Sequence, residues 1–143
     1  MEIRLATEID MPVIIRMASI LYRTPEVELK DEMYEIFNAD NQVIYVIDNQ
    51  GVIGFINGSI RVDYVEGSSQ SPTGYIEGIF IEEEFRKKGL AKELVDKVAT
   101  WAKTKGCKEL ASDVEDFNHT SVAFHKAIGL EEVNRIVCFI KKI

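Results

Sequence analysis

Along residues 3–10, IRLATEID, the apolar Ile3 and Leu5 alternate with polar neighbours, the period of two expected of a half-buried strand. The pattern then changes. Asp10 and Pro12 supply a cap and a first-turn proline ahead of the apolar run VIIRMASIL, which predicts a helix. Past the break at Thr24 and Pro25, Leu29, Met33, Ile36 and Phe37 recur at helical spacing and predict a second one. The β-branched runs VIYVID and GVIGFINGSIRV flank the turn residues Asp48 to Gly51, the signature of an antiparallel hairpin.

The polar stretch DYVEGSSQSPTG then reads as a loop between strands. A strand from Tyr75 to Ile81 follows. Leu90, Ala91, Leu94, Val95, Val98, Ala99 and Ala102 predict a long amphipathic helix that Gly106 terminates. A strand around KELASD, a short helix from about Thr120 to Ile128 stopped by Gly129, and a last strand through RIVCFI complete the chain. The order strand, two helices, three strands, helix, strand, helix, strand predicts an α/β (α+β) fold: a mixed central sheet flanked by helices, in one domain spanning residues 1–143.

Composition narrows the function classes. A length of 143 residues with 46% hydrophobic content suits one domain with a proper core. No window approaches the roughly 18 apolar residues of a membrane span, and MEIRLATEID lacks the order of a signal peptide. A cytoplasmic protein without a membrane partner is expected. Cys107 and Cys138 lack ligand-like spacing, so neither a disulfide framework nor a metal site is indicated, and both are expected to be small, half-buried side chains. A formal charge of −7 disfavours nucleic acid as a partner and suits a cationic one.

Candidate chemistry concentrates in EGIFIEEEFRKKGLAKELV, from Glu77 to Val95. Here a strand passes into a long helix through FRKKGL, so three cations stand beside the unpaired N–H groups of a helix start. That is a phosphate-binding context. Gly89 leaves room for close approach of backbone to an anion. The GxxxxGK[ST] phosphate loop and the dinucleotide glycine fingerprint are both absent, which leaves a nucleotide or coenzyme of another class.

The string RKKGLA, Arg86 to Ala91, resembles the (Q/R)xxGx(G/A) pyrophosphate-binding motif of the GCN5-related N-acetyltransferases (GNAT), and NHTSVAFHKAIGL resembles their later asparagine-to-GF segment. The two motifs stand in the right order, and the element order matches over essentially the whole chain. Within that superfamily, IRVDYVEG, YIEGIFI, KELASD and the terminal lysines are similar to the aminoglycoside 6'-N-acetyltransferases.

The resemblance implies acetyl-CoA as cosubstrate. It would lie against the strand at Ile79, Phe80 and Ile81, with its pyrophosphate held by Arg86, Lys87, Lys88, Gly89, Leu90 and Ala91. Asn118 would bond the pantetheine arm, and Ser121 would either cap the following helix or approach the coenzyme. The acceptor amine would attack the acetyl carbonyl directly, without an acyl-enzyme. Tyr22, Tyr64 and Asn134 fall where the family lines its acceptor pocket, and His125 stands where many members place a tyrosine that protonates the leaving thiolate.

An attacking amine must lose a proton, so a nearby carboxylate is wanted. Glu77 and Asp113 are the candidates for this catalytic role, and the resemblance implies that both also bind the substrate, around the aminoglycoside amines. A carboxylate inside the apolar run YIEGIFI is costly to bury unpaired, which argues for a functional or ion-paired role. Three readings stay open: acetylation of the 6'-amine of an aminoglycoside, conferring antibiotic resistance; acetylation of another amine, such as a polyamine, a metabolite or a protein amino terminus; or a non-catalytic acyl-CoA sensor. A homodimer paired through the carboxyl terminus is expected.

Overall fold

The computed structural model describes residues 1–143. Strands β1 (Glu2–Leu5), β2 (Gln42–Asp48), β3 (Val52–Arg61), β4 (Thr73–Ile81) and β5 (Leu110–Ala111) form one sheet in that spatial order. The first four are antiparallel, and β5 joins β4 in parallel. Around them lie α1 (Met11–Tyr22), α2 (Glu26–Asn38), α3 (Leu90–Thr104) and α4 (His119–Ala127). This is the expected mixed sheet flanked by helices.

Alternation along the strands divides the core in two. Ile44, Val46, Phe55 and Phe80 face α1 and α2, meeting Met11, Ile14, Met17, Leu29 and Met33. Val43, Ile47, Ile56, Ile76 and Ile81 face the other way, onto Leu90, Leu94, Val95 and Val98 of α3, with Phe124 and Ile128 of the α4 region packed beside them. Gly58 is required by this packing, because a Cβ there would lie 2.5 Å from a Val98 methyl. No helix is long and apolar enough to cross a membrane.

Three details differ from the sequence reading. Asp10 does precede α1, but its carboxylate turns back to accept from Thr7 N–H and from the Arg4 guanidinium, at 2.7 and 2.8 Å, instead of capping the helix. The KELASD segment pairs only over Leu110–Ala111. The strand expected through RIVCFI is absent, since residues beyond Leu130 have neither helix nor ladder and are exposed throughout. The edge strand β5 has only two ladder residues to offer, and that segment pairs with none of the five strands. Cys138 lies on it and is exposed, whereas Cys107 is buried.

Candidate active site

The site begins at an irregularity in β4. Gly58 pairs with Ile76 and Asn57 with Gly78, so Glu77 is an extra residue with no partner across the ladder. Such a bulge re-aims its side chain. The Glu77 carboxylate accepts from the Ser59 hydroxyl at 2.5 Å and from Arg61 Nε and Nη2 at 3.0 and 2.7 Å. Both partners come from β3. The Arg61 guanidinium also stacks 3.4 Å from the centroid of the Tyr75 ring.

Tyr75 in turn donates its hydroxyl to Asp113. The two candidate acids are therefore ends of one chain of contacts, Glu77 to Arg61 to Tyr75 to Asp113. Burial, then the Asp113 carboxylate, raises the Tyr75 pKa well above the usual phenol range, so the hydroxyl keeps its proton and donates.

Beside Glu77, between the sheet and the first two helices, opens a cleft of about 740 Å³ lined by Tyr22, Glu32, Glu35, Gln42, Asn57 and Glu77, among others. Three of these are carboxylates. Tyr22 stands 3.5 Å from the Glu77 carbonyl oxygen. Burial of its hydroxyl, with the Glu77 charge nearby, pushes its pKa up to about 12. Tyr64 and Asn134 form a separate group, since both donate to Glu66, and no hydrogen bond links them to the cleft.

At the carboxyl end of β4 the chain turns toward α3. Arg86 folds back, donating to the Ile81 carbonyl at 2.7 Å, with its guanidinium near the Phe80 ring. Lys87 and Gly89 both take left-handed backbone, at φ 61 and 80, and Lys87, Lys88 and Gly89 are exposed. Gly89 is the N-cap of α3 and offers no side-chain cap, so the first-turn amides keep free donors. Leu90 is buried in the core and anchors the turn.

Asn118, not Ser121, caps α4, its Oδ1 accepting from the Ser121 N–H at 3.1 Å. His125 lies one turn further on. Its Nδ1 is 2.7 Å from the Ser121 carbonyl, which assigns the proton to that nitrogen, and Nε2 then accepts from the Ser112 hydroxyl at 2.9 Å. No group of three or more histidine, cysteine, aspartate or glutamate side chains is placed to hold a metal.

Residues 14–130 match the acetyltransferase (GNAT) family. The chain belongs to the GNAT family. An aminoglycoside N(6')-acetyltransferase type 1 of Salmonella typhimurium is 42% identical over 109 residues, covering 76% of this chain and 75% of that protein. The crystal structure of the apo aminoglycoside 6'-N-acetyltransferase from Acinetobacter haemolyticus superposes with a TM-score of 0.95 at 30% identity, covering 100% of this chain and 99% of its own. A second such enzyme, in complex with the bisubstrate analogue CoA-S-monomethyl-acetylneamine, superposes with a TM-score of 0.93 at 34% identity, covering 99% and 98%.

The GNAT chain has room for a coenzyme where its motifs predict one. Strands β4 and β5 pair only at Gly74 with Leu110 and Tyr75 with Ala111, after which they part. That leaves one edge of Gly78 to Ile81 without a neighbouring strand. A Cβ built on Gly89 would meet nothing within 4 Å, so the loop stands open over the uncapped helix start. Edge, cations and free amides suit an extended arm ending in a pyrophosphate.

Several contributors escaped the sequence reading. Ser59 lies outside the strings that carry the family resemblance, and Arg61 and Tyr75 fall within IRVDYVEG and YIEGIFI without being singled out, although Ser59 and Arg61 stand two apart on one strand and Tyr75 and Glu77 two apart on the next. Glu32 and Glu35 read only as the polar face of α2. Gln42 and Asn57 join the cleft by strand register, with Asn57 donating to Gln42 at 3.1 Å.

Proposed function

We propose that the protein, as a single domain, transfers the acetyl group of acetyl-CoA to a primary amine, the 6'-amino group of an aminoglycoside, and so confers resistance to such antibiotics. The observation that carries this reading is the bulged Glu77, set in an acidic cleft and tied through Arg61 and Tyr75 to Asp113. A polycation is drawn to such a cleft. Acetyl-CoA supplies the activated acetyl thioester. Ile79, Phe80 and Ile81 provide the edge for its arm, and Arg86 to Ala91 provide the cradle for its pyrophosphate, in which Arg86 braces the turn while Lys87, Lys88 and the amides of Gly89, Leu90 and Ala91 meet the anion. Asn118 fixes the start of α4 beside the arm and Ser121 follows it.

Glu77 orients the acceptor ammonium and takes its proton, with Asp113 as the second acid. Tyr22 walls the cleft, whereas Tyr64 and Asn134, held together on Glu66, stand outside its lining. The backbone N–H of Ile79 is the donor to the reacting carbonyl oxygen. His125 returns a proton to the leaving sulfur. In the tautomer described above its single N–H is held by the Ser121 carbonyl, so a proton for the sulfur has first to be taken up on Nε2, in place of the hydrogen bond from Ser112. Acetyl-CoA is an intracellular metabolite, so this reading places the protein in the cytoplasm.

The carboxyl-terminal arm supports a homodimer. Val133, Ile136, Val137, Phe139, Ile140 and Ile143 expose between 62% and 116% of their surface, an apolar content that a lone chain leaves in water. The arm carries Arg135, Lys141 and Lys142 on a chain of net charge −7, so a second copy offers it the complementary charge. Its root is pinned, since Val133 packs at Gly67 and Asn134 donates to Glu66, and the remainder projects beyond.

Thiol release from acetyl-CoA tests the function. Kanamycin and tobramycin should give turnover, and an analogue with a 6'-hydroxyl should not. Turnover with spermidine or peptides but no aminoglycoside would move the acceptor to another amine. Coenzyme binding without turnover on any amine would make the protein a sensor.

A further inference from the structure

If Glu77 receives the substrate's ammonium, the place is already taken. A carboxylate offers about four acceptor positions, and Glu77 spends three of them inside the protein, on Ser59 Oγ, Arg61 Nε and Arg61 Nη2. The two arginine contacts are the fork geometry in which guanidinium binds carboxylate best. An incoming cation therefore meets an acid whose charge is balanced and whose oxygens are engaged.

The same geometry leaves this pair openable. Side-chain exposure is 41% for Arg61 and 26% for Glu77, so water reaches both and the pair is not locked in the core. Arg61 is the last residue of β3, followed by the loop of residues 62–72, where no ladder constrains the chain. Ser59 and Tyr75 are buried and stay in place if the guanidinium leaves: Ser59 still donates to Glu77, and Tyr75 still donates to Asp113. Departure of Arg61 uncovers the face of the Tyr75 ring, a surface that itself attracts a cation. The vacated position thus has a carboxylate on one side and an aromatic face on the other.

We propose that Arg61 is an internal stand-in for the acceptor's ammonium group, holding Glu77 in the free enzyme and displaced from it by substrate. On this view it is a specificity-determining residue. A molecule with several ammonium groups, anchored also by Glu32 and Glu35 in the cleft, displaces the guanidinium; an amine with one positive charge competes poorly. The inference rests on the reading that Glu77 receives the amine.

Steady-state acetyl transfer decides it, comparing kanamycin with 6-amino-6-deoxyglucose, which presents a like amine but one charge. In Arg61→Met, the KM for the single-charge amine should fall about two- to fivefold relative to that for kanamycin, with the change carried by KM rather than kcat. Arg61→Lys, which keeps the charge but loses the fork, should lie between. A melting curve confirms that each variant is folded. If Arg61→Met raises KM for both amines alike, or leaves their ratio unchanged, Arg61 merely braces Glu77 and the proposal is wrong. Glu77→Gln, run in parallel, separates the two ideas. Should that variant leave both amines unaffected, the reading of Glu77 falls and takes the stand-in with it; should it impair both while Arg61→Met leaves the ratio unchanged, only the stand-in falls.

Discussion

The hydroxyl of Tyr22, on α1, lies so close over the backbone of Gly78, on β4, that a Cβ on Gly78 would sit 2.0 Å from it. Helix and strand meet at the acceptor cleft through a glycine because nothing larger fits. Gly78→Ala should push the Tyr22 ring into the cleft, since the ring can move and the strand cannot. The KM for kanamycin is expected to rise several-fold with the acetyl-CoA KM little altered. Equal changes in both would show that the strand itself had shifted.

Glu77→Gln removes the proton acceptor while keeping the shape. General-base catalysis contributes about 10²-fold or more, so kcat/KM for an aminoglycoside should drop on that scale while acetyl-CoA binding, measured by calorimetry, persists. Asp113→Asn should cost less, because Asp113 is exposed and meets the site through Tyr75. A Glu77→Gln enzyme with full activity would remove Glu77 from the chemistry.

Gly89 has φ 80 and open space around it, so a substitution there meets backbone strain rather than a clash. Gly89→Val should lower stability by about 1–2 kcal/mol, the left-handed penalty of an L-residue. It should also raise the acetyl-CoA KM by obstructing the loop. Thermal unfolding and coenzyme titration read the two effects separately. Unchanged coenzyme affinity would argue against RKKGLA as the cradle.

Asp10 accepts from Arg4 and Thr7, and the Arg4 guanidinium is the main cause that holds its pKa down to about 2. A carboxylate lowered in the folded state stabilises it fully above the unfolded value of 3.8 and loses that contribution as pH falls toward 2. Asp10→Asn should destabilise by about 2 kcal/mol at neutral pH, with the difference from wild type shrinking on acidification below pH 4. Denaturant unfolding at a series of pH values checks this. A difference constant with pH would assign Asp10 a packing role only.

Phe139 and Ile140 are 91% and 98% exposed. If the arm pairs with a second copy, Phe139→Asp with Ile140→Asp should convert a dimer to a monomer in sedimentation while the circular dichroism of the remaining fold is retained. A wild-type protein that sediments as a monomer at micromolar concentration would exclude the homodimer.

Much of the architecture was legible in the chain. The hairpin of β2 and β3 followed from two β-branched runs around Asp48 to Gly51, and α3 from an apolar stripe ended by Gly106, because both periods record local geometry. RKKGLA marked its loop for the same reason: a glycine, cations and a helix start are neighbours in sequence as well as in space. The last strand failed because RIVCFI has strand composition, whereas the edge strand β5 extends over only two residues and pairs with β4 alone. Composition sets a preference, and a ladder needs a second backbone.

Glu77 shows where the division falls. Its sequence determined that an acid would stand in an apolar strand shortly before a phosphate-binding loop, since those are relations among nearby residues. Only the tertiary structure decided which way that acid points and what it touches. The bulge arises from the register of β3 against β4, while Ser59, Arg61 and Glu32 reach the site from segments whose approach depends on how sheet and helices pack. Contacts of that kind are fixed by burying two faces of one sheet at once, a global condition that no local pattern encodes.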